Sequence, residues 1–194
     1  MKRTLMSIAF ALVAALTVAG CGSDTDSNGS TGSTESSDAQ FNDADVTFAQ
    51  SMIPHHEQAV EMATMAQERA SSTEVKQLAD KIAAAQGPEI DTMTGWLEDW
   101  GQEVSSDSMS GMDHSGSDMS GMMSDDDMES LGTATGAEFD QMFLTMMIEH
   151  HTGAIEMAKT EQQDGENPDA IALAEKIEAD QTAEIAQMED LLGS

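Results

Sequence analysis

The sequence predicts an all-α protein, a four-helix bundle built from two duplicated helical hairpins. Three observations predict it. A segment repeats without gaps at an offset of 95 residues, with 21 identities between positions 45–97 and 140–192. Apolar residues inside each copy recur at alternating spacings of four and three, the stripe of a core-facing helix. No stretch alternates with the period of a strand.

The elements follow in chain order. Residues 1–20 read as a lipoprotein signal: Lys2 and Arg3 precede an apolar run from Leu5 to Val18. The run ends in Val18-Ala19-Gly20-Cys21, small residues before the sole cysteine. A single cysteine excludes an intrachain disulfide, and its position suits lipid attachment better than nucleophilic chemistry. Residues 21–40 are Ser-, Gly-, Thr- and Asp-rich and read as a flexible tether, too polar to offset ordering entropy.

The bundle is expected over 41–194. Phe48, Met52, His55, Ala59, Met62 and Ala66 form the stripe of the first helix. Ser71 with Glu74 has capping-box spacing for the second, which Gly101 can end. A Met-rich low-complexity linker covers about 102–134. Thr135 with Glu138 repeats the capping box, and Asn167-Pro168 offers an N-cap followed by proline at the first helical position. Each helix should run about 25–29 residues, or roughly 40 Å. Pro54 and Gly87-Pro88 fall inside helices and should kink them. Periodicity leaves open whether the first and third helices run parallel or antiparallel.

Seven basic residues stand against 37 acidic ones, a net charge of −30. Such a chain repels nucleic acid and anionic lipid headgroups, which excludes both as partners. It attracts cations only non-specifically. Any specific site must come from particular side chains.

The five histidines lie in three places: His55-His56, His150-His151 and His114 in the linker. His55 falls on the apolar stripe and His56 one step round from it. Burying imidazoles costs free energy unless each ring nitrogen has a partner, and a metal is one such partner. The alternative is that the rings satisfy each other or backbone carbonyls while methionines fill the core. The spacing favours metal of a particular kind. Di-iron bundles use Glu-x-x-His, but here Met52 precedes His55 by three and Met147 precedes His150 by three. Thioether sulfur suits Cu(I) or Ag(I), and zinc would recruit more His, Cys or carboxylate. Met109, Met112, His114, Met119, Met122 and Met123 place further soft donors in the linker, where no core is expected.

The two Met-Ile-x-His-His…Ala-x-Glu-Met-Ala boxes resemble those of the domain of unknown function 305 family over roughly 41–194. That resemblance implies a ferritin-like bundle, exported, with some members implicated in copper binding and resistance. It places His55, His56 and Met62, with their copies His150, His151 and Met157, at the family's signature positions. The long Met-rich insertion departs from the family pattern. The expectation is an extracytoplasmic, lipid-anchored protein that binds copper, Cu(I) above Cu(II) or Ag(I), for buffering, resistance or transfer to a partner. It is expected to bind rather than catalyse. The alternatives are a ferritin-like metal oxidase and a structural or partner-binding lipoprotein without metal.

Overall fold

The computed structural model describes residues 40–104 and 120–193. Five helices form there: α1 (Asp43–Arg69), α2 (Thr73–Asp99), α3 (Asp125–Thr133), α4 (Gly136–Asp164) and α5 (Pro168–Leu192). No strand occurs among the described residues. The four long helices match the two expected hairpins, α1–α2 and α4–α5. The signal segment, Cys21, Met109, Met112, His114 and Met119 lie outside the described residues.

Caps fix most helix starts, though not always by the expected residue. Asn42 and Asp45 form a capping box at α1, and Asn167 caps α5 ahead of Pro168. The cap of α2 is Ser72 rather than Ser71, its hydroxyl accepting from Val75 N–H. The Ser71 hydroxyl is turned away to Asp140. Thr135 holds the N-cap position of α4 but makes no side-chain cap bond. Both α1 and α2 continue through Pro54 and Pro88.

The segment read as linker is partly folded. Ser124 and Asp127 make a capping box that starts α3, and Leu131 on α3 is fully buried. Met123 is 9 % exposed, and Met128 packs on the core. For these methionines the absence of a core, expected from composition, is corrected: the groove between α1 and α4 supplies one.

Hydrogen bonds between the copies settle the topology. Asp45, near the start of α1, accepts from the Glu166 and Asn167 amides in the α4–α5 turn, the latter at 2.9 Å. Asp140, 95 residues on, accepts from the Ser71 and Ser72 amides in the α1–α2 turn. Asn42 also reaches the Asp164 carbonyl, and Ala70 bridges to Gly136. Each end of α1 therefore meets the opposite end of α4, and the two helices are antiparallel. They pack on each other and on their own hairpin partners, while α2 and α5 meet over a shorter stretch.

The apolar core falls into two clusters. One joins Met62, Ala63 and Ala66 of α1 to Phe139, Phe143 and Met147 of α4. The other joins Phe48, Ala49 and Met52 of α1 to Ala154 and Ala158 of α4. Burying each large side chain contributes roughly 1.5–3 kcal/mol. Both histidine pairs lie along the chain between these sets, so antiparallel packing stacks them into one polar layer across mid-bundle.

Candidate metal centre

The layer is dry. His55, His56, His150 and His151 are all 0 % exposed, as are Met52 and Met147. His55 and His150, equivalent positions of the repeat, face each other across the α1–α4 interface with ring centroids 3.7 Å apart. Both rings lie on the buried stripe of their helix.

The outer ring of each pair has a carboxylate partner. His56 Nε2 lies 2.9 Å from Glu89 Oε2, and His151 Nε2 lies 2.7 Å from Glu184 Oε2. Both contacts span 33 residues, from the first helix of a hairpin to its second. Lys176 on α5 adds a second contact to Glu89 at 2.9 Å, tying the hairpins together. Burial pushes the Glu89 carboxyl up, but bonds from His56 and Lys176 outweigh it and hold it below the ordinary range.

Burial also determines the charge of the rings. It drives His55 down to about 3, with the nearby His56 acting in the same direction. His56 is lowered by burial despite Glu89, and His150 is lowered by burial and then by His55. These three imidazoles are neutral at physiological pH, so each retains one nitrogen lone pair. A carboxylate or carbonyl accepts only. His56 therefore donates from Nε2 to Glu89, and His55 donates from Nε2 to the Ser120 carbonyl at 3.3 Å. The lone pair is left on Nδ1. Among the described residues, Nδ1 of all four histidines has no partner, nor does Nε2 of His150. Orphaned buried nitrogens of this kind are costly unless something binds them.

A short strap covers the layer from outside. Ser120–Ser124 crosses the α1–α4 groove, with Gln58 exchanging two hydrogen bonds with the Met123 backbone at 2.8 and 2.9 Å. Gly121 has φ +80, and a Cβ there would stand 2.9 Å from the His150 carbonyl oxygen. A Cβ on Gly153 would stand 1.8 Å from the Ser120 oxygen. Two glycines thus let the strap lie directly on α4, which delivers Ser120 to His55.

The expected site residues separate into groups. Met52, His55, Met147 and His150 share the buried inner faces, with His56 and His151 beside them. Met62 and Met157 do not join them. Each lies seven residues from its nearest inner histidine, about 10 Å along the axis. Met62 fills one apolar cluster, and Met157 borders a cavity at the other. Met122 and Met123 reach the strap, and Met123 packs in the core. Among the described residues, no three His, Cys, Asp or Glu side chains group closely enough to hold a metal alone. Met52 and Met147 place two buried thioethers beside the rings. Sequence reasoning missed Glu89 and Glu184 as partners, although both recur at equivalent positions of the repeat.

The family model described as "Domain of unknown function (DUF305)" matches residues 45–192. The chain belongs to this family. A DUF305 protein of Streptomyces coelicolor, described as a candidate secreted protein, is 37 % identical with TM-score 0.70, covering 77 % of this chain and 92 % of its own. A DUF305 fragment from Deinococcus radiodurans is 31 % identical with TM-score 0.70, covering 78 % of this chain and 97 % of its own. CopM in its Cu(II)-bound form is 36 % identical with TM-score 0.67, covering 77 % of this chain and 95 % of its own. CopM is also solved with Cu(I), with Ag and without metal. No curated protein sequence matches this chain. No helix among the described residues of this DUF305 protein is long and apolar enough to cross a membrane.

Proposed function

We propose that this protein binds copper outside the cytoplasm, as Cu(I) above all, and acts as a carrier or buffer rather than an enzyme. The observation that carries the reading is the buried layer in which His55 and His150 face each other with unpartnered ring nitrogens. The likeness to CopM, solved with Cu(I), Cu(II) and Ag, supports it.

His55 and His150 would hold the ion, with Met52 and Met147 supplying the thioethers that a soft monovalent cation prefers. Glu89 and Glu184 orient His56 and His151 through Nε2 and keep Nδ1 turned to the layer, as second partners of metal-binding imidazoles do. Neutral rings mean that no proton has to leave before the ion enters. The linker residues Met109, Met112, His114 and Met119, with Met122 of the strap, would form weaker sites.

Anaerobic titration of Cu(I) against a chelator of known affinity tests the reading. His55→Ala with His150→Ala should weaken the tightest site at least tenfold, about 1.4 kcal/mol, with helical content intact. Tight binding that survives the double substitution would make the rings structural. The export reading rests on the segment ending at Cys21 and on the secreted description of the Streptomyces relative. Cys21→Ser should release the protein from the membrane fraction and abolish lipid labelling. Retention without lipid would remove the anchor from the reading.

A further inference from the structure

The histidine layer is closed to solvent. His55, His56, His150 and His151 are 0 % exposed, and so are Met52 and Met147. An ion held by these side chains can arrive only if part of the surrounding wall moves.

The walls differ in what holds them. Ile82, Met93 and Leu97 of α2, with Ile177 and Met188 of α5, are buried in the two clusters that α1 and α4 also fill. Opening either hairpin would expose that apolar surface to water. On the outer side Glu89 and Glu184 are bonded to His56 and His151, and Lys176 holds Glu89 from α5. The strap over the α1–α4 groove is held by much less. Ser120–Ser124 has no helix of its own, and Met123 is its one buried side chain. His55 donates to the Ser120 carbonyl, the Ser120 hydroxyl donates to exposed Glu156, and Gln58 exchanges two bonds with the Met123 backbone. Segments with few buried apolar contacts and exposed hydrogen bonds open locally at the least cost.

The repeat shows how this wall is built. Gln58 and Gly153 occupy equivalent positions of the two copies, and both serve the strap in different ways. Gln58 grips it, whereas Gly153 makes room for it, since a Cβ there would overlap the Ser120 carbonyl. Beyond Ser124 the chain is fixed again by the α3 capping box and by buried Leu131. The strap can therefore lift while α3 stays in place.

We propose that this strap is a gate, lifting from Gln58 and Gly153 to let a soft monovalent cation reach His55 and His150. The inference rests on the copper reading and adds the route to the layer. Lifting breaks the bond between His55 and Ser120, so opening the groove and freeing that ring are one event. The same strap contacts are broken and re-formed with or without the ion. The gate thus sets the rates of loading and release far more than the affinity.

The test uses the full-length protein and two readouts, one of which needs no metal. Modification of His55 and His150 by diethyl pyrocarbonate, mapped by mass spectrometry, reports how often the layer opens. Anaerobic stopped-flow transfer of Cu(I) and Ag(I) to and from a chelator reports passage of the ion. Gly153→Ala must displace the strap, and alanine suits the interior of α4. Modification of both rings, loading and release should each become at least about tenfold faster. Affinity should shift by less than about threefold. Gln58→Ala removes the two bonds to Met123 and should act in the same direction, by at least about threefold. Circular dichroism checks that both variants fold. Unchanged modification in both variants overturns the proposal, because the strap is then not the cover. Faster modification with unchanged ion rates also overturns it and moves the path to the side of Glu89 and Glu184. Tight wild-type binding with unaltered rates in the variants defeats the gate alone, whereas a wild type that binds neither ion defeats the copper reading and the gate together.

Discussion

The two ends of this bundle occupy equivalent positions of one repeat and are packed by opposite means. At one end Phe139, Met142 and Met146 of α4 meet Met62 and Met65 of α1. At the other, Ala44, Thr47 and Ser51 of α1 face Met157 and Thr160 of α4, and a cavity remains. Between them the copies agree residue for residue: Met52 with Met147, His55-His56 with His150-His151, Gln86 with Gln181, Glu89 with Glu184. The duplication thus separates two kinds of position. Those contributing to the single shared layer are the same in both copies. Among those that pack an end, Phe48 and Phe143 agree, but Ala44, Thr47 and Ser51 have diverged from Phe139, Met142 and Met146, because each end can be filled or left open independently.

The largest expected effect breaks the comparison at its apolar positions. Phe143→Ala at the filled end should cost about 3–5 kcal/mol, since its neighbours cannot collapse onto the vacancy. Phe48→Ala should cost about 1–2 kcal/mol less, because one side of that ring already borders a cavity and has fewer contacts to lose. Urea denaturation of both variants checks this. Equal costs would mean that the two ends are packed alike.

A second contrast is electrostatic, because only the hollow end carries a buried acid. The Glu161 carboxyl is raised from 4.5 to about 8, so between those values the folded state holds a proton that the unfolded chain has released. Its stabilising contribution is complete below about 4.5 and lost as pH rises through about 8. Asp45, lowered from 3.8 because its hydrogen bonds outweigh burial, acts in the opposite sense and loses its contribution as pH falls below that value. Glu161→Gln should remove the decline in stability between pH 5 and 8. A pH–stability curve that the substitution leaves unaltered would show that Glu161 ionises freely.

The smallest contrast compares two helix starts. Ser72→Ala should cost about 1 kcal/mol, whereas Thr135→Ala should fall within a few tenths, because only Ser72 makes a cap bond. Thermal melts resolve the pair.

The repeat and its stripes were legible because both are local patterns of residue type. Phe48, Met52, His55 and Ala59 announce a buried face by spacing alone, and the identities at offset 95 announce the pairing of hairpins. The rest depends on contacts distant in sequence. Glu89 meets His56 across 33 residues, and the direction of α4 is set by Asp45 reaching Asn167 across 122. Their signal was present, since Asp45 and Glu89 both recur in the second copy, but recurrence does not say what a residue touches. Helix α3 was hidden for another reason. Its Asp-, Ser- and Met-rich composition resembles the linker before it, and only Leu131 and the partly buried methionines betray a packed face. The cap of α2 was misplaced by one residue because Ser71 and Ser72 are adjacent, and Asp140 claims the first.

The reciprocal clamps of Asp45 and Asp140 have a consequence for how such a molecule is held together. Each hairpin secures the turn of the other with the same residue, and the rings of His55 and His150 meet as equivalents. Like surfaces exchanged about an axis define an isologous dimer. A chain with one copy of the repeat would carry a surface whose complement lies on a second molecule of itself, and its histidine layer would exist only above the concentration at which the pair forms. Two copies on one chain make that encounter intramolecular. The layer then stays assembled however few molecules are present.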